Sequence, residues 1–259
     1  MEPNNILKMV SEPVNKILTP PAEKIGNTLA SIWNLTFGWI DHIDDKLRII
    51  RQQDLCKFSE KLETEISKIP VENRIEPKLS IAGPTLEATK YYIEEEELQN
   101  MFAKLLANSM NRNTAQYIQH SFVEIIKQMT PIDAQNIIDI SFEKQYAICQ
   151  IVKNTNDMKK GYSILCNILY WLPTKSEENW EQNSISLVNL QRLGLIQYGF
   201  EKHLADDSYY KHYYDSKLIK DFKKIDQNII LNKGFVEITS YGQQFQMACL
   251  PEIIVKNGA

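Results

Sequence analysis

Glycine and proline are scarce, at 9 and 10 residues in 259. An all-β chain places such residues at the end of nearly every strand, so this scarcity excludes that class. An excess of charge of one sign is also missing. The net charge is −4, whereas a nucleic-acid coat needs a basic excess to neutralise phosphate. Cysteine is limited to Cys56, Cys149, Cys166 and Cys249, with no C-x-x-C and no Cys/His group at zinc-finger spacing. Dispersed thiols in apolar contexts read as reduced core residues of a reducing compartment. The start, Met1-Glu2-Pro3-Asn4-Asn5, lacks the basic-then-apolar order of a secretory leader. No Gly-rich phosphate loop, H-E-x-x-H or G-x-S-x-G occurs. These absences predict a protein that is cytoplasmic, or peripheral at the inner membrane. They also predict that it is not an enzyme and uses no metal or cofactor.

What is present is helical periodicity. Ile25, Leu29, Ile32, Trp33, Trp39, Ile40, Ile43, Leu47 and Ile50 predict a long amphipathic helix over 25–50. Residues 25–40 carry no charge, but 16 residues with several polar ones fall short of the ~20 apolar residues of a membrane span. Leu55, Phe58, Leu62, Ile66 and Ile69 predict a second helix over 54–69, and 71–84 reads as an extended connector. Central helices follow over 85–129, with Leu98, Met101, Phe102, Leu105 and Ser109 forming one stripe. Thr130, Pro131 and Asp133 have the order of a helix start, and that helix is expected to reach about Val152. A further helix is expected over 161–172. Ser184–Leu193 reads as a short helix closed by Gly194, followed by a strand. Asn232-Lys233-Gly234 reads as the turn of a hairpin, and Thr239 as the cap of a last helix.

This order predicts a mainly α protein. A helical region, 1–129, precedes a winged-helix-like α/β module, 130–259, with an insertion at 201–227. Two candidate contact surfaces stand out. Trp33, Phe37, Trp39 and Ile40 suit contact with another copy, another protein such as a phage component, or the inner-membrane surface. In a winged helix the second helix enters the major groove. Ser186, Asn189, Gln191 and Arg192 would then face nucleic acid, since Asn, Gln and Arg read base edges. The field there is weak, with 15 Lys and Arg against 16 Asp and Glu from residue 120 onward, so nucleic acid is the lesser candidate. His203, Asp206, Asp207 and His212 are the nearest approach to a metal-binding group, and their polar, tyrosine-rich context reads as a solvated helix face.

Several segments together are distinctive. They are Leu86-Glu87-Ala88, Glu95-Glu96-Glu97-Leu98, Met101-Phe102-Ala103-Lys104-Leu105-Leu106-Ala107 and His120 through Met129 with Pro131 and Asp133. Downstream come Asn189 through Ile196 and Ile238 through Phe245, and upstream Pro21 through Gly26. In order and spacing they resemble the abortive-infection alpha family of bacteria. The resemblance implies a role in limiting phage propagation and carries over no catalytic residue. Gly194 and Gly242 within these segments read as glycines required by backbone geometry. The sequence therefore predicts a non-enzymatic phage-defence protein acting through protein or membrane-surface contacts. The alternative it carries is a winged-helix DNA-binding regulator.

Overall fold

The computed structural model describes residues 29, 31–33, 35–37, 45–154, 162–172 and 175–251. The fold is mainly α with one four-stranded antiparallel sheet. It divides into two compact units. One takes the chain up to Pro131 together with Gln244–Glu252, and the other takes Ile132–Gln243. The expected boundary at 129/130 had assigned residues 244–252 to the C-terminal module.

The first unit is built on α1 (Asp45–Ser67), α2 (Leu79–Tyr92), α3 (Glu96–Ser109) and α4 (Ser121–Lys127). Helix α3 is its centre and packs on α1, α2 and α4. All five stripe residues read from the sequence are buried there, Leu98, Met101, Phe102 and Leu105 completely. Burying one such side chain stabilises by about 1.5–3 kcal/mol, which makes this stripe the main source of the unit's cohesion. Asn108 Nδ2 donates to the carbonyls of Met247 and Ala248 at 3.2 and 3.0 Å. Phe122 meets Phe245 edge-on at 5.4 Å between ring centroids.

Three expectations for this unit change. Residues 45–67 form one continuous helix, so no break separates a 25–50 helix from a 54–69 helix. Arg51-Gln52-Gln53 are good helix formers and carry the turn through. The connector expected over 71–84 ends early, because α2 begins at Leu79 and holds Pro84 inside it. Proline forfeits one backbone hydrogen bond there, and burial of Ile81, Ala82 and Leu86 on the same helix offsets it. Within the helices expected over 85–129, the chain after α3 forms only a short 3-10 turn, Ala115–Tyr117, before α4.

The second unit opens with α5 (Pro131–Ile140), in which Pro131 and Asp133 hold the expected first and third positions. Next come β1 (Gln145–Asn154) and β2 (Tyr162–Leu169), where helices to about 152 and over 161–172 were expected. For β1 the reason is burial on both faces. Ile148, Cys149, Gln150, Ile151 and Val152 are all buried, so no polar alternation marks the strand. After α6 (Trp180–Arg192) and β3 (Ile196–Gly199) come α7 (Lys211–Asp215), α8 (Lys217–Ile225) and β4 (Ile229–Ile238). The hairpin expected around Asn232-Lys233-Gly234 is instead this single strand. Gly234 sits mid-strand because a Cβ there would lie 2.2 Å from the Gly199 carbonyl oxygen and 2.6 Å from the Phe200 ring.

The strand order is β2-β1-β4-β3. One face, with Ala147, Cys149, Ile151 and Ile229, packs on the expected insertion through Tyr210, Tyr213 and Ile219. The Tyr210 hydroxyl donates to the Gly234 carbonyl and the Tyr213 hydroxyl to the Ala147 carbonyl, both at 2.8 Å. Helix α6 packs against β2 and β3. It ends at Gly194, whose φ of +76° is a left-handed conformation open to glycine. The Thr239 hydroxyl donates to the Gly194 carbonyl at 2.6 Å and accepts from the Gly242 N–H at 2.9 Å. It thereby caps α9 (Ser240–Cys249), as expected, and ties that cap to the end of α6.

Candidate functional site

Of the four aromatic and aliphatic contact candidates, Trp39 and Ile40 lie outside the described residues. Trp33 and Phe37 are buried, at 1% and 2% exposure. Trp33 stacks on Phe58 of α1 at 5.8 Å and meets Phe37 at 4.8 Å. Leu35, on the opposite side of that helical stretch, is 87% exposed. The two rings thus fill the interior of the first unit, and any contact through them requires this stretch to come away.

The four nucleic-acid candidates on α6 do not share an outward face. Ser186 is buried at 3% exposure, contrary to the expectation that it points outward. It shares the inward stripe with Leu190 and Leu193, four and seven residues on. Asn189 donates to the Asp133 carboxylate at 2.9 Å and accepts from the Arg192 guanidinium at 2.7 Å. The Gln191 side-chain oxygen accepts from the Tyr198 N–H at 3.3 Å. The outward face of α6 carries Ile185 and Val188, at 70% and 47% exposure.

His203, Asp206, Asp207 and His212 do not converge. Asp206 accepts from the Ser208 N–H, Asp207 pairs with Lys233 at 2.7 Å, and His212 bonds the Trp171 carbonyl at 3.1 Å. Burial holds the His212 pKa below its ordinary value, against opposing hydrogen bonds to Trp171 and Tyr209. Among the described residues no group of three or more His, Cys, Asp or Glu is placed to hold a metal ion.

Concave regions occur among the described residues. In the first unit a cleft of about 700 Å³ runs along α1 and α3. Its lining holds five carboxylates against three lysines, and Lys61 pairs with Glu96 and Lys104 with Glu65, each at 3.5 Å. Burial lowers the Lys61 pKa.

On the sheet of the second unit lies a groove of about 600 Å³ lined by Ile164, Gln150, Asn232, Tyr198, Phe200 and Phe235, among others. A ladder of amides crosses the strands there. Gln150 Nε2 donates to Asn167 Oδ1 at 3.1 Å, and Asn232 Nδ2 donates to Gln150 Oε1 at 3.2 Å. Each amide keeps a further donor hydrogen and a further lone pair for another group. Ile164 and Ile230, opposite Val152 from either side, stay half exposed at 51% each.

The third region is a smaller pocket of about 320 Å³ where α5, the end of β2 and α6 meet. No motif read from the sequence pointed to it as a site. Asp139 stands on its floor, 6% exposed, and pairs with Lys175. Gln135 Nε2 donates to the other Asp139 oxygen at 3.0 Å. Asn136 donates to Asn183, which in turn donates to the Tyr170 carbonyl. Tyr170 is 1% exposed, and its hydroxyl has no hydrogen-bond partner among the described residues. Burial first, then the charge of Asp139, raises its pKa, and the same causes with Glu143 push Tyr146 up to about 12. These phenols are therefore neutral donors at physiological pH. A legible hint was Asp139 itself, a carboxylate set among Ile137, Ile138 and Ile140 on α5.

The thiols offer no nucleophile. Burial raises the pKa of Cys56, Cys166 and Cys249 and pushes Cys149 up to about 12. A raised pKa leaves almost no thiolate at neutral pH. Among the described residues no helix is long and apolar enough to cross a membrane.

No curated protein and no solved structure matches the chain. The family model described as abortive infection alpha matches residues 50–249, which include most of both units and the segments from Leu86 to Phe245 that carry the resemblance in sequence. The chain belongs to the abortive infection alpha family.

Proposed function

We propose that this protein limits phage propagation by binding another protein, without catalysing a reaction. Family membership supports the defence role. The amide-lined groove on the sheet is the observation that carries the binding role. Side-chain amides are complementary to a peptide backbone, with one donor and one acceptor each. The flanking Ile164, Tyr198 and Phe200 supply apolar and aromatic walls of the kind that anchor a segment. The groove takes an extended segment of a partner, a phage component or a host protein. Unpaired thiols at all four cysteines support a cytoplasmic location. The non-catalytic reading draws support from the raised thiol pKa values.

The DNA-regulator reading has less support. α6, β3 and β4 keep the helix–strand–strand succession of a winged helix, with residues 200–228 inserted. Of its proposed readers, however, Ser186 is buried and Asn189 is tied to Asp133. The membrane-surface reading asks Trp33 and Phe37 to leave the interior.

Plating efficiency tests the proposal. Bacteria expressing the wild-type chain are expected to form at least 100-fold fewer plaques than cells with an empty vector. Ile164→Lys places a charge in the groove at a half-exposed position, so it should fold normally and lose that protection. Full protection by folded Ile164→Lys would rule out the groove as the working surface.

A further inference from the structure

Positive charge collects on and beside α8 in a chain that is acidic overall. Residues 211–225 hold Lys211, Lys217, Lys220, Lys223 and Lys224 against Asp215 and Asp221, a net charge of +3. The whole chain stands at −4, which leaves −7 on the rest. At about 100° per residue, the four lysines of α8 fall within an arc of about 120°, in the order Lys223, Lys220, Lys224, Lys217, with no other residue among them. All four are exposed. The opposite side of the helix is fixed to the sheet through buried Ile219, with Leu218 and Phe222 packed on the same core. The lysine face is therefore held rigidly outward. Contact through it asks no core residue to move, unlike contact through Trp33 and Phe37.

The acids nearby do not block this face. Asp221 lies beside the arc and pairs with Lys224 at 2.7 Å, and Lys220 Nζ donates to the Asp215 carbonyl. Lys224 and Asp221 are 75% and 46% exposed, and an ion pair so exposed contributes little, so an outside anion can replace it. Glu177 faces the helix backbone, where it accepts from the Leu218 N–H at 3.1 Å. A nucleic acid and an anionic membrane both offer phosphate to such a face. Ile225 decides between them. It follows Lys224 at the end of α8 and is 83% exposed. An aliphatic side chain gains nothing beside a phosphate backbone, whereas at a bilayer it enters the boundary between headgroups and acyl chains. The helix also holds no Arg, Asn or Gln to read base edges. Stable membrane attachment takes two signals, charge and apolar insertion. We propose that the lysine face of α8 docks the protein on an anionic lipid surface, with Ile225 entering the headgroup–acyl boundary. This surface is separate from the groove on the sheet and does not depend on it.

Flotation of the purified full-length chain with phosphatidylglycerol vesicles tests this, with phosphatidylcholine vesicles as the neutral control. The chain should float with the anionic vesicles alone, and added salt should release it by screening. Lys220→Gln/Lys224→Gln should weaken the binding about thirtyfold, since each lysine near such a surface is worth roughly fivefold. Ile225→Ser should weaken it as well, at unchanged charge. These side chains are exposed, so the melting midpoints should match that of the wild type. Failure of the wild type to float with phosphatidylglycerol would overturn the proposal, as would flotation that either variant leaves intact. Binding to a DNA duplex that Lys220→Gln/Lys224→Gln abolishes, without flotation, would overturn it too, by assigning the face to nucleic acid.

Discussion

Gly242→Ala is expected to destabilise the second unit by roughly 3–4 kcal/mol, adding an overpacking cost to the loss of a helix cap. A Cβ at Gly242 would lie 2.0 Å from the Leu195 carbonyl oxygen and 2.8 Å from Ile238 Cγ2. The first obstacle is backbone, so no side-chain rotation relieves it. The start of α9 must lift away, and Thr239 then loses its bonds to Gly194 and to the Gly242 N–H. Urea denaturation followed by circular dichroism measures the effect as a lowered midpoint. Gly199→Ala is the matched control, because a Cβ there meets nothing within 4 Å, and its effect should stay within about 1 kcal/mol. Equal effects at the two positions would contradict this packing.

Trp33→Ala is expected to cost about 3–5 kcal/mol, the range for a large aromatic truncated in a packed core. Trp33 is 1% exposed and sits between Phe37 and Phe58. Leu35→Ala, at an 87% exposed neighbour, should change stability by no more than about 0.5 kcal/mol. Thermal melting of the two variants separates a core residue from a surface one. The opposite pattern would return these aromatics to a contact role: Trp33→Ala melting like the wild type but failing to float with liposomes that the wild type binds.

The parts of this fold that could be read from sequence are those with a local chemical signature. Pro131 opens α5, Gly194 ends α6 at positive φ, and Thr239 caps α9. Each depends on a residue type with few backbone alternatives, so a neighbourhood of a few residues suffices. The stripe from Leu98 to Ser109 was equally plain, because its apolar residues recur at helical spacing along α3. β1 and β2 had no such mark. β1 is buried in a consecutive run and β2 keeps apolar Ile164 and Leu165 exposed, so neither alternates, and apolar spacing alone fits a helix as well as a strand. The β-branched Ile148, Ile151 and Val152 were the available signal. Gly234 misled for a different reason. Asn-Lys-Gly resembles a turn, yet this glycine is present because Gly199 and Phe200 cross close above it.

The pocket was illegible for a topological reason. Asp139 and Tyr170 are 31 positions apart, and two strands that were expected to be helices carry the chain between them. The groove on the sheet shares that cause. Gln150, Asn167 and Asn232 form a ladder only once β1, β2 and β4 are paired. The aromatic residues of the N-terminal stretch drew attention because they are conspicuous in sequence, and burial of Trp33 against Phe58 and of Phe37 beside Trp33 accounts for the two that are described.

The central claim is that the protein's polar sites bind and do not react. The double variant Lys61→Gln/Glu96→Gln tests it most directly. It removes an ion pair of the charged cleft in the first unit, where burial lowers the Lys61 pKa, and leaves the groove on the sheet untouched. Plating efficiency should match that of the wild type, since binding needs no proton transfer. A folded double variant that no longer protects cells from phage would contradict the account and point to acid–base chemistry in that cleft.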